Sequence, residues 1–99
     1  NMIIKFKEVY RNSSTAASPA DRMTYRTREI VINPEHIVCI RPNSDMSNRL
    51  SEGLVNDVSP NTSFCTISLN RGQAGSDIVV IGTLDELNKR IKERKLLHG

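Results

Sequence analysis

Along "MIIKFKEVY" (residues 2–10) apolar and polar positions alternate. Ile4 and Phe6, continued by Glu8, fall on one side, and Ile3, Lys5, Lys7 and Val9 on the other. A period of two predicts a strand, because successive side chains leave a strand on opposite faces. The pattern returns over "TYRTREIVI" (24–32), where Thr, Tyr, Ile and Val also favour extended backbone. Asn33-Pro34-Glu35 interrupts it: proline lacks the amide proton a ladder requires and biases the preceding residue toward a turn or extended conformation. "HIVCI" (36–40) restarts a strand. "SFCTISLN" (63–70) alternates again, with Phe64, Thr66 and Ser68 on one side and Cys65, Ile67 and Leu69 on the other. "RGQAGS" (71–76) predicts a glycine-containing hairpin loop, and "DIVVIG" (77–82) its partner strand.

The period changes to that of a helix at the end of the chain. Leu84, Leu87 and Ile91 repeat at i, i+3 and i+7, which places them on one stripe. Thr83-Leu84-Asp85-Glu86 has the spacing of a capping box, in which the threonine hydroxyl accepts from a free amide of the first turn. Acidic residues at the start of this segment and Lys92, Arg94 and Lys95 toward its end complement the helix dipole. A helix over 84–97 is predicted. Residues 11–22 and 43–63 are rich in Ser, Asn, Asp and Pro without an apolar period, and are expected to be mobile loops.

These elements predict one β-rich domain over residues 2–99, of α+β class and mainly β. Its architecture is a small antiparallel sheet or half-open barrel of about five strands with a C-terminal helix. Composition narrows the core. The 99 residues include no Trp, two Tyr and two Phe, so the core is built from aliphatic side chains. Expected core positions are Ile4, Phe6, Ile30, Ile32, Ile37, Val38, Ile40, Ile67, Leu69, Val79, Ile81, Leu84, Leu87 and Ile91. A core this small gains from self-association, which also covers sheet edges, so a homo-oligomer is expected. No apolar run approaches the roughly 20 residues a membrane span needs. The two cysteines, with no signal-peptide pattern, fit reduced thiols and a cytoplasmic location.

Candidate chemistry is sparse. His36 and Cys39 lie three apart in a predicted strand, a spacing that sends side chains to opposite faces, and with His98 and Cys65 they lack the paired spacing of structural zinc sites. No metal or cofactor is expected. "RGQAGSD" has two glycines but precedes a strand and lacks the Lys-Ser/Thr pair of a phosphate loop. No Ser-His-Asp arrangement stands out, so the chain is read as not an enzyme. The net charge of +3 permits an anionic partner. Arg22, Arg26 and Arg28 alternate along the second strand, and a same-face arginine row suits phosphate or carboxylate, because each guanidinium offers a fixed fork of donors. Arg41 and Arg49 flank the start of the 43–63 loop, and Arg71 opens the last hairpin. Arg26, Arg28, Arg41, Arg49 and Arg71 are therefore the candidate ligand-binding residues.

The segments "REIVINPEHIVCI", "CTISLNRG" and "IVVIGTLDELNKRI" together resemble the short flagellar FlbD-like proteins. The match rests on Asn33, Ile37, Ile40, Ile67, Leu69, Gly72, Val80, Glu86, Leu87 and Ile91, and covers about two thirds of the chain. Similar small β-rolls, loosely like Sm barrels, also occur among bacteriophage accessory proteins, some of which resemble anti-defence proteins that sequester nucleotide signals. The resemblance implies a structural scaffold rather than a catalytic set. Two function classes follow. One is a non-enzymatic binding module or regulator recognising an anionic partner, nucleic acid or protein. The other is a phage-type sequestering protein that holds a small nucleotide in a loop-lined pocket between protomers.

Overall fold

In the computed structural model, which describes residues 2–71 and 74–98, five strands form one sheet. The strands are β1 (Ile4–Arg11), β2 (Tyr25–Ile32), β3 (Ile37–Pro42), β4 (Phe64–Arg71) and β5 (Ala74–Ile81), with helices α1 (Ser44–Ser51) and α2 (Leu84–His98). The sheet order is β2-β1-β5-β4-β3, antiparallel throughout. Sequence neighbours are sheet neighbours everywhere except between β2 and β3, which are the two open edges. The fold is therefore mainly β within the α+β class, as the patterning predicts. Gly72 and Gln73 of the expected hairpin loop lie outside the described residues. The ladder on either side runs to Arg71 and Ala74, so the β4–β5 pairing is longer than the glycines imply.

Antiparallel partners share a face, so the register sorts the side chains. On one face Ile4 pairs with Ile32, Phe6 with Ile30, Cys65 with Val80 and Ile40 with Ile67. Leu87 and Ile91 of α2 pack on this layer. Thr83 caps the helix as its sequence predicts: Glu86 N donates to Thr83 Oγ1 at 3.1 Å. Ile67 and Val80 are fully buried and Leu87 nearly so, each stabilising by about 1.5–3 kcal/mol. Gly82, at φ 140°, joins β5 to the helix. A Cβ there would stand 2.9 Å from Leu87 Cδ2, so only glycine lets the helix turn back this closely.

The opposite face has its own core, of Val9, Phe64, Met46 and Val55, with Tyr25, Leu50, Val58, Val79 and Ile81 packed against it. Residues 43–63 supply its cover, and are not the featureless connection their composition implies. Asn43 caps α1 by accepting from Met46 N at 2.9 Å, while its amide group donates to Thr66 Oγ1 of β4. Beyond the helix, Tyr25 N donates to Leu54 O, and Asn56 N to Tyr25 O. The segment thus runs from the β3 edge over the sheet and bridges to the start of β2.

Two expected core residues are exposed. Val38 is 66% accessible because the β3–β4 register shifts between Ile37 and Cys39. That bulge inserts one extra residue and returns both Ile37 and Ile40 to the α2 face. Leu84 begins its helix 40% exposed, and Leu87 and Ile91 alone carry the buried stripe.

Candidate anion-binding site

β1 and β2 form a hairpin whose register runs to Arg11 opposite Tyr25. The connection then folds on itself through short polar bonds. Asn12 N donates to Thr24 O at 2.9 Å, and Ala17 N to Ser14 O at 3.1 Å. Ser18 Oγ accepts from Asp21 N at 3.1 Å, and Thr24 Oγ1 donates to Asp21 O at 2.6 Å. These Ser, Asp and Thr contacts are why the segment turns without any apolar residue to drive it. A 3-10 turn, Asp21–Met23, closes it. Arg22 therefore stands on that turn and not on β2, which shortens the arginine row of the sequence to Arg26 and Arg28.

Two guanidinium groups lie on this connection. Arg11 Nε donates to Arg22 O at 2.9 Å, and Arg22 Nη2 donates to Thr15 O at 3.1 Å. With Asn12, Ser13 and Thr15 they line a depression of 320 Å³. Each guanidinium carries five N–H donors and donates one of them to these carbonyls. The lining holds two cations, two hydroxyls and a carboxamide, and no carboxylate. Such a donor set matches phosphate or carboxylate oxygens.

The sequence-predicted residues are distributed differently. Arg26 is exposed on β2, opposite Tyr10. Arg28, on the same face, is engaged within the protein: its Nε donates to Glu8 Oε1 at 2.9 Å, and its guanidinium carbon stands 4.0 Å from the centre of the Tyr10 ring. Glu8 is a buried carboxylate, and this bond supplies its charge partner. Arg41 is exposed on the other edge strand and shares the opposite face with Thr66. Arg49, half-buried on α1, lies over Tyr25 at 5.4 Å. The backbone of Arg71 ends β4, and its side chain lies outside the described residues. Arg26 and Arg28 are thus brought together, whereas Arg41 stands at the far edge and Arg49 beneath the second core. Sequence reasoning missed Arg11, Asn12, Ser13 and Thr15. Their only signal was an arginine at the end of one strand followed by a run of hydroxyl residues.

His36 and Cys39 do not meet, for a reason other than strand alternation. His36 belongs to a 3-10 turn, Pro34–His36, and its Nδ1 lies 3.0 Å from Asn70 O. Cys39 follows the bulge and stands opposite Ser68. Cys65 is buried between strands, where its Sγ donates to Gly82 O at 3.4 Å. Burial pushes the Cys65 thiol up, and the Glu86 carboxylate adds to the shift. Among the described residues no group of three or more His, Cys, Asp or Glu is placed to hold a metal ion, and no helix is long and apolar enough to cross a membrane.

In comparison with known proteins, no family model, no curated protein and no solved structure matches this chain.

Proposed function

We propose that this chain is a non-enzymatic binding module whose β1–β2 connection recognises an anionic ligand, most simply the phosphate group of a small molecule such as a nucleotide. The observation that carries this reading is the depression in which Arg11 and Arg22 converge with Asn12, Ser13 and Thr15. Three physical points support it. The guanidinium groups are positioned in advance by the carbonyls of Arg22 and Thr15, so less side-chain entropy is lost on binding. The lining offers donors of two kinds, charged forks and neutral hydroxyls. A polyanion would favour a continuous basic face, whereas here Arg28 is paired with Glu8 and Lys5 with Glu29, which favours a compact ligand.

Self-association belongs to the same proposal. Apart from the bridge at Tyr25, both edge strands are open among the described residues, and each exposes a valine, Val31 on β2 and Val38 on β3. Edge pairing between copies would bury this surface and place neighbouring protomers beside the β1–β2 hairpin.

Calorimetric titration with ATP and with a single-stranded oligonucleotide, each at low and high salt, tests the reading. The expected result is saturable ATP binding that changes little with salt and falls about tenfold or more in Arg11→Gln or Arg22→Gln, the worth of a charge-assisted bond. Oligonucleotide binding with a steep salt slope and no ATP binding would replace the compact ligand with a polymer. Affinities unchanged in both variants would remove the site.

A further inference from the structure

A second basic depression lies at the other end of β1. Strand β1 pairs with β5 only at Glu8 and Val9, so its first half is free of the β5 ladder. Arg90 reaches from α2 to this half. Its Nη2 donates to the Lys5 carbonyl, and its guanidinium carbon stands 4.8 Å from the centre of the Phe6 ring. The register places Lys5 and Lys7 on one face of β1, with Glu29 opposite Lys7. Glu29 instead bonds Lys5, Oε2 to Nζ at 3.1 Å. Among the described residues Lys7 makes no ion pair. Lys5, Lys7, Arg90, Glu29, Phe6 and Ile81 together border a depression of 280 Å³.

Three cations and one carboxylate leave two positive charges uncompensated in this lining. A structural role accounts for part of it: Arg90 satisfies a carbonyl that the diverging ladder leaves open, and Lys5–Glu29 is an exposed surface pair of small energetic value. It does not account for Lys7, nor for the remaining donors of Arg90. The contacts with Phe6 and the Lys5 carbonyl hold the guanidinium in one orientation, while Lys7, which leaves β1 on the face opposite Phe6, borders the same depression. A fixed fork and a flexible ammonium on one rim suit an oxyanion carrying two or more negative charges.

We propose that Lys5, Lys7 and Arg90 form a second anion site, separate from the β1–β2 connection, that takes a phosphate or diphosphate group. Four strand positions separate Lys7 from Arg11, the nearest residue of the first depression, about 14 Å, so each site can hold its own small ligand. The site goes beyond the proposed function and does not rest on it, because it shares no residue with the first depression.

Amide NMR of the whole chain, titrated with inorganic pyrophosphate and separately with ADP, tests the assignment. Saturable shifts are expected at Lys5, Lys7 and Arg90. The affinity read from them should fall about tenfold in Lys7→Gln and in Arg90→Gln, each losing one charge-assisted contact. Lys7 is exposed and makes no contact the fold needs, so its variant stays informative if Arg90→Gln unfolds. Equal affinity for the two probes assigns the site to a free diphosphate, and tighter ADP binding to a nucleotide; both support it. Shifts confined to Arg11, Asn12 and Arg22 would leave the first site standing and overturn this one, as would an unchanged affinity in Lys7→Gln.

Discussion

Replacing Arg28 with alanine separates two roles that the alternating arginines of β2 conflate. The Glu8 side chain is 11% exposed and its partner Arg28 56% exposed. Removing one member of a buried pair costs about 3–5 kcal/mol, but solvent already reaches Arg28, and water can enter where its side chain stood. The loss should therefore lie nearer a single charge-assisted hydrogen bond, about 1.5–3 kcal/mol. Stacking over Tyr10 at 4.0 Å adds about 0.5–1 kcal/mol at an exposed site. Arg28→Ala should destabilise the chain by about 2–4 kcal/mol, whereas Arg26→Ala should stay within about 0.5 kcal/mol. Urea unfolding followed by circular dichroism measures both, with an unchanged m value showing that only stability moved. In a Glu8→Gln background, Arg28→Ala should cost only about 1 kcal/mol, a coupling on the order of 1–3 kcal/mol. Equal losses at positions 26 and 28, or no coupling with Glu8, would refute the view that Arg28 serves the fold.

Two further outcomes follow from the α2 face. Gly82→Ala forces a residue with a side chain to φ 140° and drives its Cβ against Leu87; strain and overpacking of about 1–3 kcal/mol each should lower the thermal midpoint by about 10 °C or more, and the cost should shrink when Leu87 is also alanine. The raised Cys65 thiol contributes stability that is complete below the unfolded thiol value, about 8.5. It is lost as pH rises through the folded value, because the unfolded chain releases that proton first. Wild-type stability should therefore fall across the alkaline range more steeply than that of Cys65→Ala, and parallel pH profiles would exclude the effect.

Strand positions were legible because alternation is a local property, and α2 was legible because Thr83, Glu86, Leu87 and Ile91 agree on one helix. α1 was not. Met46 and Leu50 are its only apolar residues, and its serines, asparagine and aspartate equally describe a loop. It is helical because Asn43 caps it and Met46 has a second core to enter. That core escaped notice because Val9 and Phe64 occupy what alternation assigns to the outer face, while Val79 and Ile81, both expected core positions, were counted in a single core. Val38 illustrates a different limit: a bulge changes which residues share a face, and only the partner strand reveals it. For the binding residues, the spacing of Arg26 and Arg28 was visible, but the Glu8 opposite Arg28 depends on register. Arg11 and Arg22 meet only through the folded connection between β1 and β2.

The sheet order has a consequence for how the chain assembles. β1–β2, β3–β4 and β4–β5 each join neighbours in sequence, so their closure entropy is modest. Among the strand ladders of the described residues, β1–β5 alone links distant parts of the chain and holds two positions, with the Tyr25–Val55 bridge as a second long-range link. The entropic burden of the topology falls on its thinnest junction, which is reinforced by Arg90 and by the apolar layer beneath α2. The N-terminal hairpin is thus held less by its ladder than by its side chains, Ile4, Phe6 and Ile32 in one core and Val9 and Tyr25 in the other. Of the two proposed anion sites only the second spans that junction, through Arg90 and Ile81, so its occupancy and hairpin docking are thermodynamically linked.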